Sequence, residues 1–136
     1  MSTAVSFGST KLVVDEQLPP WSREAIEKIG QLGELKANWD SYGAHPVDPS
    51  CALAAIQLVL SYLGPSIPTP AIVPTNQGGI QLEWHRRRVD LEVAIVSPVQ
   101  FIVTLEDEAT GEELETVLTT DLEPLTPLLA RIANED

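Results

Sequence analysis

The chain of 136 residues has little of the equipment from which many active sites are built. Cys51 is its one cysteine, which excludes an internal disulfide and a zinc site made of several thiolates. His45 and His85 are its only histidines, so few side chains can exchange protons near neutral pH. The sequence contains no glycine-rich phosphate loop, G-x-S-x-G elbow or H-E-x-x-H helix. These absences disfavour an enzyme, and we expect no cofactor and no metal.

Positive charge is also scarce. Eight Lys and Arg residues stand against twenty Asp and Glu residues, which gives a net charge of −12. Such a chain repels phosphate backbones and anionic lipid surfaces, so we expect neither nucleic acid nor membrane as a partner. No stretch approaches the roughly 18 apolar residues of a membrane span, and residues 1–10 lack the pattern of a secretory signal. We therefore expect a cytoplasmic protein.

The length predicts one domain. Residues 1–10, rich in Ser, Thr, Ala and Gly, are expected to be a flexible tail, followed by a single α+β domain over residues 11–136. Residues 11–14 are compatible with a short edge strand. Eleven prolines indicate many stiff connections between elements.

Two helices are predicted in the first half of the chain. Ser22 can cap the first, and its apolar residues fall on one stripe: Ala25, Ile26, Ile29, Leu32 and Leu35. The second has a capping residue at Asp48, Pro49 in its first turn, and Gly64 with Pro65 after its end. Its apolar positions repeat over three turns: Ala52, Ala55, Ile56, Val59, Leu60 and Leu63. This helix is expected to be central to the core.

The second half alternates with the period of β-strands. Residues 80–85, 89–95, 99–105 and 113–119 predict an antiparallel four-stranded meander with one apolar face, which the two N-terminal helices cover. Residues 65–74 carry four prolines and are expected to be extended. Thr126 can cap, and Pro127 can open, a short C-terminal helix.

The segment between the two helices has an unusual composition. It reads Asn-Trp-Asp-Ser-Tyr-Gly-Ala-His-Pro over residues 38–46, and residues 79–84 read Gly-Ile-Gln-Leu-Glu-Trp. Over about residues 35–105 the chain resembles a set of small bacterial proteins that pair an N-W-D-x-Y-G-A loop with a G-x-I-x-L-E-W strand. The resemblance implies a shared fold and carries over no activity. The glycine that usually follows the Asp in that set is Ser41 here.

Two interpretations of this loop are open. In the structural one, Asp40 binds amides of its own turn, Gly43 supplies a positive φ, and Trp39 and Tyr42 fill the seam between helices and sheet. In the functional one, Trp39, Tyr42 and His45 grip a ligand or partner.

The hairpin over residues 80–95 supplies a second candidate site. Glu83, His85, Asp90 and Glu92 are predicted to share its polar face. With Arg86 and Arg87 as the turn, Glu83 lies opposite Asp90, and Gln81 opposite Glu92. The neighbouring arginines can balance these carboxylates, or the group can serve as a metal or acid/base site.

The acidic end of the chain supplies a third. Residues 106–136 hold ten acidic residues and one basic one. Six of the acidic residues are predicted to crowd one hairpin tip: Glu106, Asp107, Glu108, Glu112, Glu113 and Glu115. Such a tip either keeps the protein soluble or binds a basic protein.

Three functions remain open. The leading hypothesis is a non-enzymatic interaction module, such as an inhibitor, an antitoxin-like neutraliser or an accessory subunit, that binds a basic protein. Its contact residues are the loop residues Trp39, Asp40, Tyr42 and His45 together with the six acidic residues of the hairpin tip. The second is a small metal-dependent or acid/base hydrolase that uses His85 and neighbouring carboxylates. The third is a module that forms a homodimer through a free strand edge or an apolar helix face.

Overall fold

The computed structural model describes residues 2–7 and 10–15, as backbone, and residues 19–134. The elements are β1 (Ser2–Phe7), β2 (Thr10–Asp15), α1 (Ser22–Leu32), α2 (Pro49–Tyr62), β3 (Ala71–Pro74), β4 (Ile80–Arg86), β5 (Val89–Ser97), β6 (Gln100–Asp107), β7 (Glu112–Leu118) and α3 (Leu125–Ala130). The predicted α+β class is confirmed. No helix in these ranges is long and apolar enough to cross a bilayer.

The two N-terminal helices form where the sequence predicts them. In α1 the predicted stripe is buried at Ala25, Ile26, Ile29 and Leu32. Trp21, not Ser22, occupies the N-cap, and Ser22 is the first residue of the helix with a buried hydroxyl. Ser22 therefore lies inside the packed surface and makes no side-chain capping bond.

Helix α2 is the central helix of the core. Asp48 caps it by accepting a hydrogen bond from the amide of Ser50 at 2.8 Å, and Pro49 lies in its first turn, as predicted. Burial extends beyond the predicted stripe, because Cys51, Ala54 and Leu58 are also inaccessible. The helix is thus apolar around most of its circumference, as expected for an element packed on several sides.

The main sheet has five antiparallel strands in the order β3-β4-β5-β6-β7, one more than predicted. The added strand is β3, which lies in the proline-rich segment that we expected only to be extended. Proline has no amide hydrogen to donate to a sheet, so such a segment is tolerated at an edge. It pairs with β4 through Ile72 opposite Leu82 and Pro74 opposite Ile80.

Two tryptophans hold the chain that leads into this edge. The indole N–H of Trp21 donates to the carbonyl of Ile67 at 2.8 Å, and that of Trp84 donates to the carbonyl of Pro68 at 2.7 Å. Both rings are buried. Each of the two side chains therefore fills part of the core and also satisfies a carbonyl of an irregular segment.

The N-terminal strands form a separate two-stranded antiparallel sheet. Strand β2 contains the predicted edge strand of residues 11–14. Strand β1 lies within the segment expected to be a flexible tail, and its backbone runs beside α1. Thr3, Val5 and Phe7 alternate with smaller residues, and residues of these types favour strands.

The C-terminal helix α3 begins at Leu125, with Pro124 at the N-cap, and not at the predicted Thr126–Pro127 start. Leu125, Leu129 and Ile132 are buried in the same core cluster as α1 and α2. The amide of Asn134 then donates to the carbonyl of Ser66 at 2.7 Å. The burial of Leu125 accounts for the earlier start.

Residues of all the described helices are buried in one core cluster together with residues from a single face of the five-stranded sheet. That face presents alternating buried residues from the central strands, among them Leu82, Trp84, Leu91, Val93 and Val103. Burying a large aliphatic or aromatic side chain contributes about 1.5–3 kcal/mol. The predicted covering of a single apolar face is therefore confirmed.

Gly79 provides a test of this packing. A Cβ at this position would lie 2.5 Å from the carbonyl oxygen of Ile95. We expect Gly79→Ala to lower the free energy of unfolding by about 1–3 kcal/mol, because a backbone atom must move. Gly64→Ala is the matched control: a Cβ there meets nothing within 4 Å, so the change stays within about 1 kcal/mol. Urea denaturation measures both, and equal losses would contradict the packing described.

Candidate functional site

The tryptophan loop, residues 38–46, is held by its own polar side chains. One carboxylate oxygen of Asp40 accepts hydrogen bonds from the amides of Tyr42 at 2.8 Å and Ala44 at 3.0 Å. The side-chain oxygen of Asn38 accepts one from the amide of Gly43 at 2.7 Å. The predicted role of Asp40 in the turn is therefore confirmed.

Three residues of the loop adopt left-handed backbone conformations. Gly43 has φ 84°, as predicted, while Asn38 has 63° and Ser41 has 66°. Ser41 therefore adopts a backbone conformation that glycine takes without strain.

The two aromatic residues of the loop, Trp39 and Tyr42, lie in different environments. The indole of half-buried Trp39 donates to the carbonyl of His45 at 2.8 Å, and the amide of His45 donates to the carbonyl of Asn76. Tyr42 instead is 92% exposed, so the expectation that it fills the seam between helices and sheet is wrong. The polar network bends the chain so that this side chain extends into solvent.

The turn between β4 and β5 lies one residue later in the sequence than predicted. Arg87 and Arg88 form the turn, both with positive φ, so Glu83 lies opposite Glu92 and His85 opposite Asp90. The predicted pairs were wrong by two residues. The observed register gains the buried pair Ile80–Ile95 and keeps every side chain on its predicted face, because a shift of two does not change the face.

This register brings His85 between carboxylates. Its Nδ1 lies 2.7 Å from Oδ1 of Asp90, and its Nε2 lies 3.8 Å from Oε2 of Glu83. The hydrogen bond to Asp90 raises the pKa of His85 above its usual 6.5, burial opposes this rise, and the charges of Asp90, Glu83 and Glu92 raise the pKa further. The amide of Gln81 also donates to Glu83, at 2.6 Å.

The expectation that the turn arginines balance the carboxylates of this hairpin is not met by Arg86 or Arg88. Arg86 shares the face of Trp84 and Leu82, because it follows them by even numbers of residues in β4. The Nε of Arg88 lies 3.4 Å from Glu108 of the next hairpin.

The acidic hairpin formed by β6 and β7 does not expose all six predicted carboxylates. Asp107 is 8% exposed and binds Nη2 of Arg131 at 2.6 Å, and Glu112 binds Nη1 of the same guanidinium at 2.8 Å. Burial alone would raise the pKa of Asp107, but the amides of Ala109 and Thr110 and the Arg131 guanidinium together lower it. Asp107 therefore anchors the C-terminal segment and is removed from the exposed surface.

The remaining carboxylates combine into one surface, which we call the acidic face. It lies on the side of the sheet opposite the helices and contains Glu83, Asp90, Glu92, Glu106, Glu113 and Glu115, with His85 among them. The register aligns Glu83, Glu92, Thr104 and Glu115 in one row, and His85, Asp90, Glu106 and Glu113 in the next. These side chains are exposed or half-buried.

From the sequence, the two hairpins were predicted to be separate sites, and the single surface that they share was not predicted. The signal was present, since these carboxylates alternate with buried or half-buried residues along β4 to β7. Joining them required the pairing of β5 with β6, which places Asp90 opposite Glu106 and Glu92 opposite Thr104. Arg86 is the one lysine or arginine within β3 to β7, and the alternation of side chains assigns it to the covered side of the sheet, although it also lines a cavity with Glu83 and His85.

An apolar row borders the acidic face. Val73, Ala94, Ile102 and Val117 lie in consecutive register positions across the sheet, with Gln81 between the first two. Val73 is 37% exposed and Val117 is 55% exposed. The open side of the sheet thus combines negative charge with accessible apolar surface.

Other potential sites are less developed. Within residues 19–134, no group of three or more His, Cys, Asp and Glu side chains is arranged to hold a metal ion. Cys51 is buried, its Sγ lies 3.3 Å from the carbonyl oxygen of Val96, and burial followed by the charge of Asp48 raises its pKa. A thiol with a raised pKa is a poor nucleophile.

Two open cavities lie away from the apolar row. One of about 400 Å³ lies between α2 and the chain around Thr119 and Thr120, with Ser61 and Tyr62 in its lining. The other, of about 290 Å³, is lined by Glu83, His85 and Arg86 together with the chain before β3.

Comparisons with protein-family models, curated proteins and solved structures gave no match for this chain. The resemblance to small bacterial proteins therefore stays a prediction.

The His85–Asp90 contact predicts a pH effect. Because the folded pKa of His85 is raised, its stabilising contribution is complete below the ordinary pKa of 6.5 and is lost as pH rises through the folded value. NMR titration of the ring protons gives that value directly. Asp90→Asn is expected to move it toward 6.5, and Glu106→Gln, which removes a charge from the neighbouring strand, to move it less. An unshifted pKa in the unsubstituted protein would contradict the contact.

The ion pair of Arg131 predicts a difference between two arginines. Arg131→Met leaves the carboxylate of buried Asp107 without its cation, so we expect a clear loss of stability. Arg23→Met is the control, because the Arg23–Glu27 pair is exposed on α1 and such pairs contribute about 0.3–0.5 kcal/mol. Adding Asp107→Asn to Arg131→Met should recover part of the loss. Equal melting temperatures for the two arginine variants would show that the buried pair has no special role.

Proposed function

We propose that this protein is a non-enzymatic interaction module that binds a basic protein partner through its acidic face. The observation that carries the proposal is the collection of six carboxylates on the open side of the sheet, where β3 to β7 place no lysine or arginine. Charges of one sign gathered on a surface accelerate association with an oppositely charged partner and fix its orientation.

The arrangement favours a protein as the partner. The row formed by Val73, Ala94, Ile102 and Val117 offers apolar contact beside the charges. Protein interfaces combine an apolar centre with a polar rim, whereas a small cation would need converging ligands. The exposed ring of Tyr42 lies in the tryptophan loop and in no strand of the acidic face, so it is a separate candidate contact of a type common at interfaces.

This proposal changes the contact set expected from the sequence. Glu106, Glu113 and Glu115 stay in it and are joined by Glu83, Asp90 and Glu92. Asp107 leaves it because it is buried with Arg131. Inhibitor, antitoxin-like neutraliser and accessory subunit remain three forms of the same proposal, since each requires a basic partner.

The hydrolase hypothesis has a weaker basis. Asp90 orients the ring of His85 as a carboxylate orients a general base, and the smaller cavity adjoins both His85 and Glu83. The His85 side chain is 58% exposed, however, and the carboxylate of Glu83 lies 3.8 Å from its Nε2. A solvated imidazole surrounded by carboxylates is accounted for by the charge pattern of the acidic face.

The decisive experiment removes three charges from one row of the acidic face. The protein first captures a partner from cells of its source, and mass spectrometry identifies it. We expect Glu83→Gln, Glu92→Gln and Glu115→Gln together to weaken binding about 3- to 150-fold at low salt, since each exposed ion pair contributes about 0.2–1 kcal/mol. The salt dependence of affinity should decrease in parallel.

The matched control removes the same number of charges elsewhere. Glu24, Glu34 and Glu123 are exposed and lie outside the acidic face, so their replacement by Gln should change affinity less than about threefold. A partner that is itself acidic, or one whose binding responds equally to both triple variants, would refute the proposal.

A further inference from the structure

The two edges of the main sheet differ in their protection. Strand β3 has Pro74 within it and Pro68 and Pro70 immediately before it, and proline discourages the pairing of another strand. Strand β7 has seven residues and no proline. Only β6 pairs with β7 among the strands that the structure describes. In such an edge strand, alternate amide and carbonyl groups point away from the sheet.

The exposure of β7 agrees with an open edge. Glu113, Glu115 and Val117 are exposed on the acidic face, while Leu114 and Thr116 on the opposite side are half-buried. Leu118 is buried where β7 enters the core. The strand is thus anchored by Leu118 at its end and through the pairing of Glu112 with Arg131 at its start, while Glu113, Glu115 and Val117 are accessible.

The charges of β7 decide which strand can pair with it. A second copy aligned antiparallel would bring its Glu113 and Glu115 close to those of the first, and like charges across a pair of strands repel. Charged residues are a common protection of edge strands against self-association. The same two glutamates attract a strand that carries lysine or arginine at alternate positions.

We propose that β7 accepts an extended basic segment of a protein partner as a sixth, antiparallel strand of the sheet. Backbone hydrogen bonds would supply affinity, and Glu113, Glu115 and Val117 would select side chains. The segment would read, from its N-terminus, one apolar residue and then two basic residues at every second position. The inference rests on the proposed function, because it names the chemistry of the basic partner at one border of the acidic face.

Synthetic peptides matched to the seven residues of β7 test this inference. The probe is Thr-Val-Thr-Lys-Thr-Lys-Thr with blocked ends, and the control has the same sequence with N-methyl groups on the amides that would face β7. Both carry the same charge, but only the first can complete the hydrogen bonds. The readout is the hydrogen exchange of the amides of residues 112–118, which NMR measures on the full chain at millimolar peptide.

We expect the probe to slow the exchange of alternate β7 amides by about tenfold or more, and the methylated control to bind about tenfold or more weakly. Equal binding of both peptides, or unchanged exchange in β7, overturns the inference. Protection of β7 that grows with protein concentration and needs no peptide also overturns it, because a second copy would then be the occupant.

Failure of the inference and failure of the proposed function are distinguishable. If both peptides bind equally and the triple Gln variant of the acidic face binds neither, a basic ligand uses the face without adding a strand, and the proposed function stands. If the captured partner ignores salt and the triple variant, the proposed function fails, whatever the exchange rates in β7.

Discussion

The alternation of side chains along five antiparallel strands is the constraint on which the rest of this structure depends. Each side chain must belong either to the side that the helices cover or to the open side. The covered side takes the large apolar residues, such as Leu82, Leu91, Val103 and Leu105. The carboxylates between them in sequence are therefore brought together on the open side, and the acidic face is the counterpart of the core.

Much of the fold follows from local pattern. The capping of α2 by Asp48 and the alternation in β4, β5 and β6 identify these elements and their buried sides before any coordinates are known. The turn at Arg87–Arg88 does not follow, because neither residue is a usual one for a positive φ and the pattern of faces is the same in both registers. Strand β3 was not predicted for a different reason. Its prolines exclude a central strand but permit an edge strand.

The candidate site was only partly predictable, again for physical reasons. The sequence indicates which residues of β4 and β5 share a face, but contacts across strands depend on register. Asp107 illustrates the limit most clearly. In sequence it is one of six acidic residues near a hairpin tip, yet the residue that neutralises it, Arg131, lies 24 positions later. Only the docking of the C-terminal segment brings the two together.

The central claim is that negative potential is concentrated on the open side of the sheet. Paramagnetic relaxation of backbone amides by a cationic and by an anionic nitroxide cosolute, compared residue by residue, measures this potential directly. The account predicts that the cationic probe is most strongly enriched along β5, β6 and β7, relative to the anionic one. A uniform ratio over the protein, or a maximum at the exposed side of α1, would contradict it.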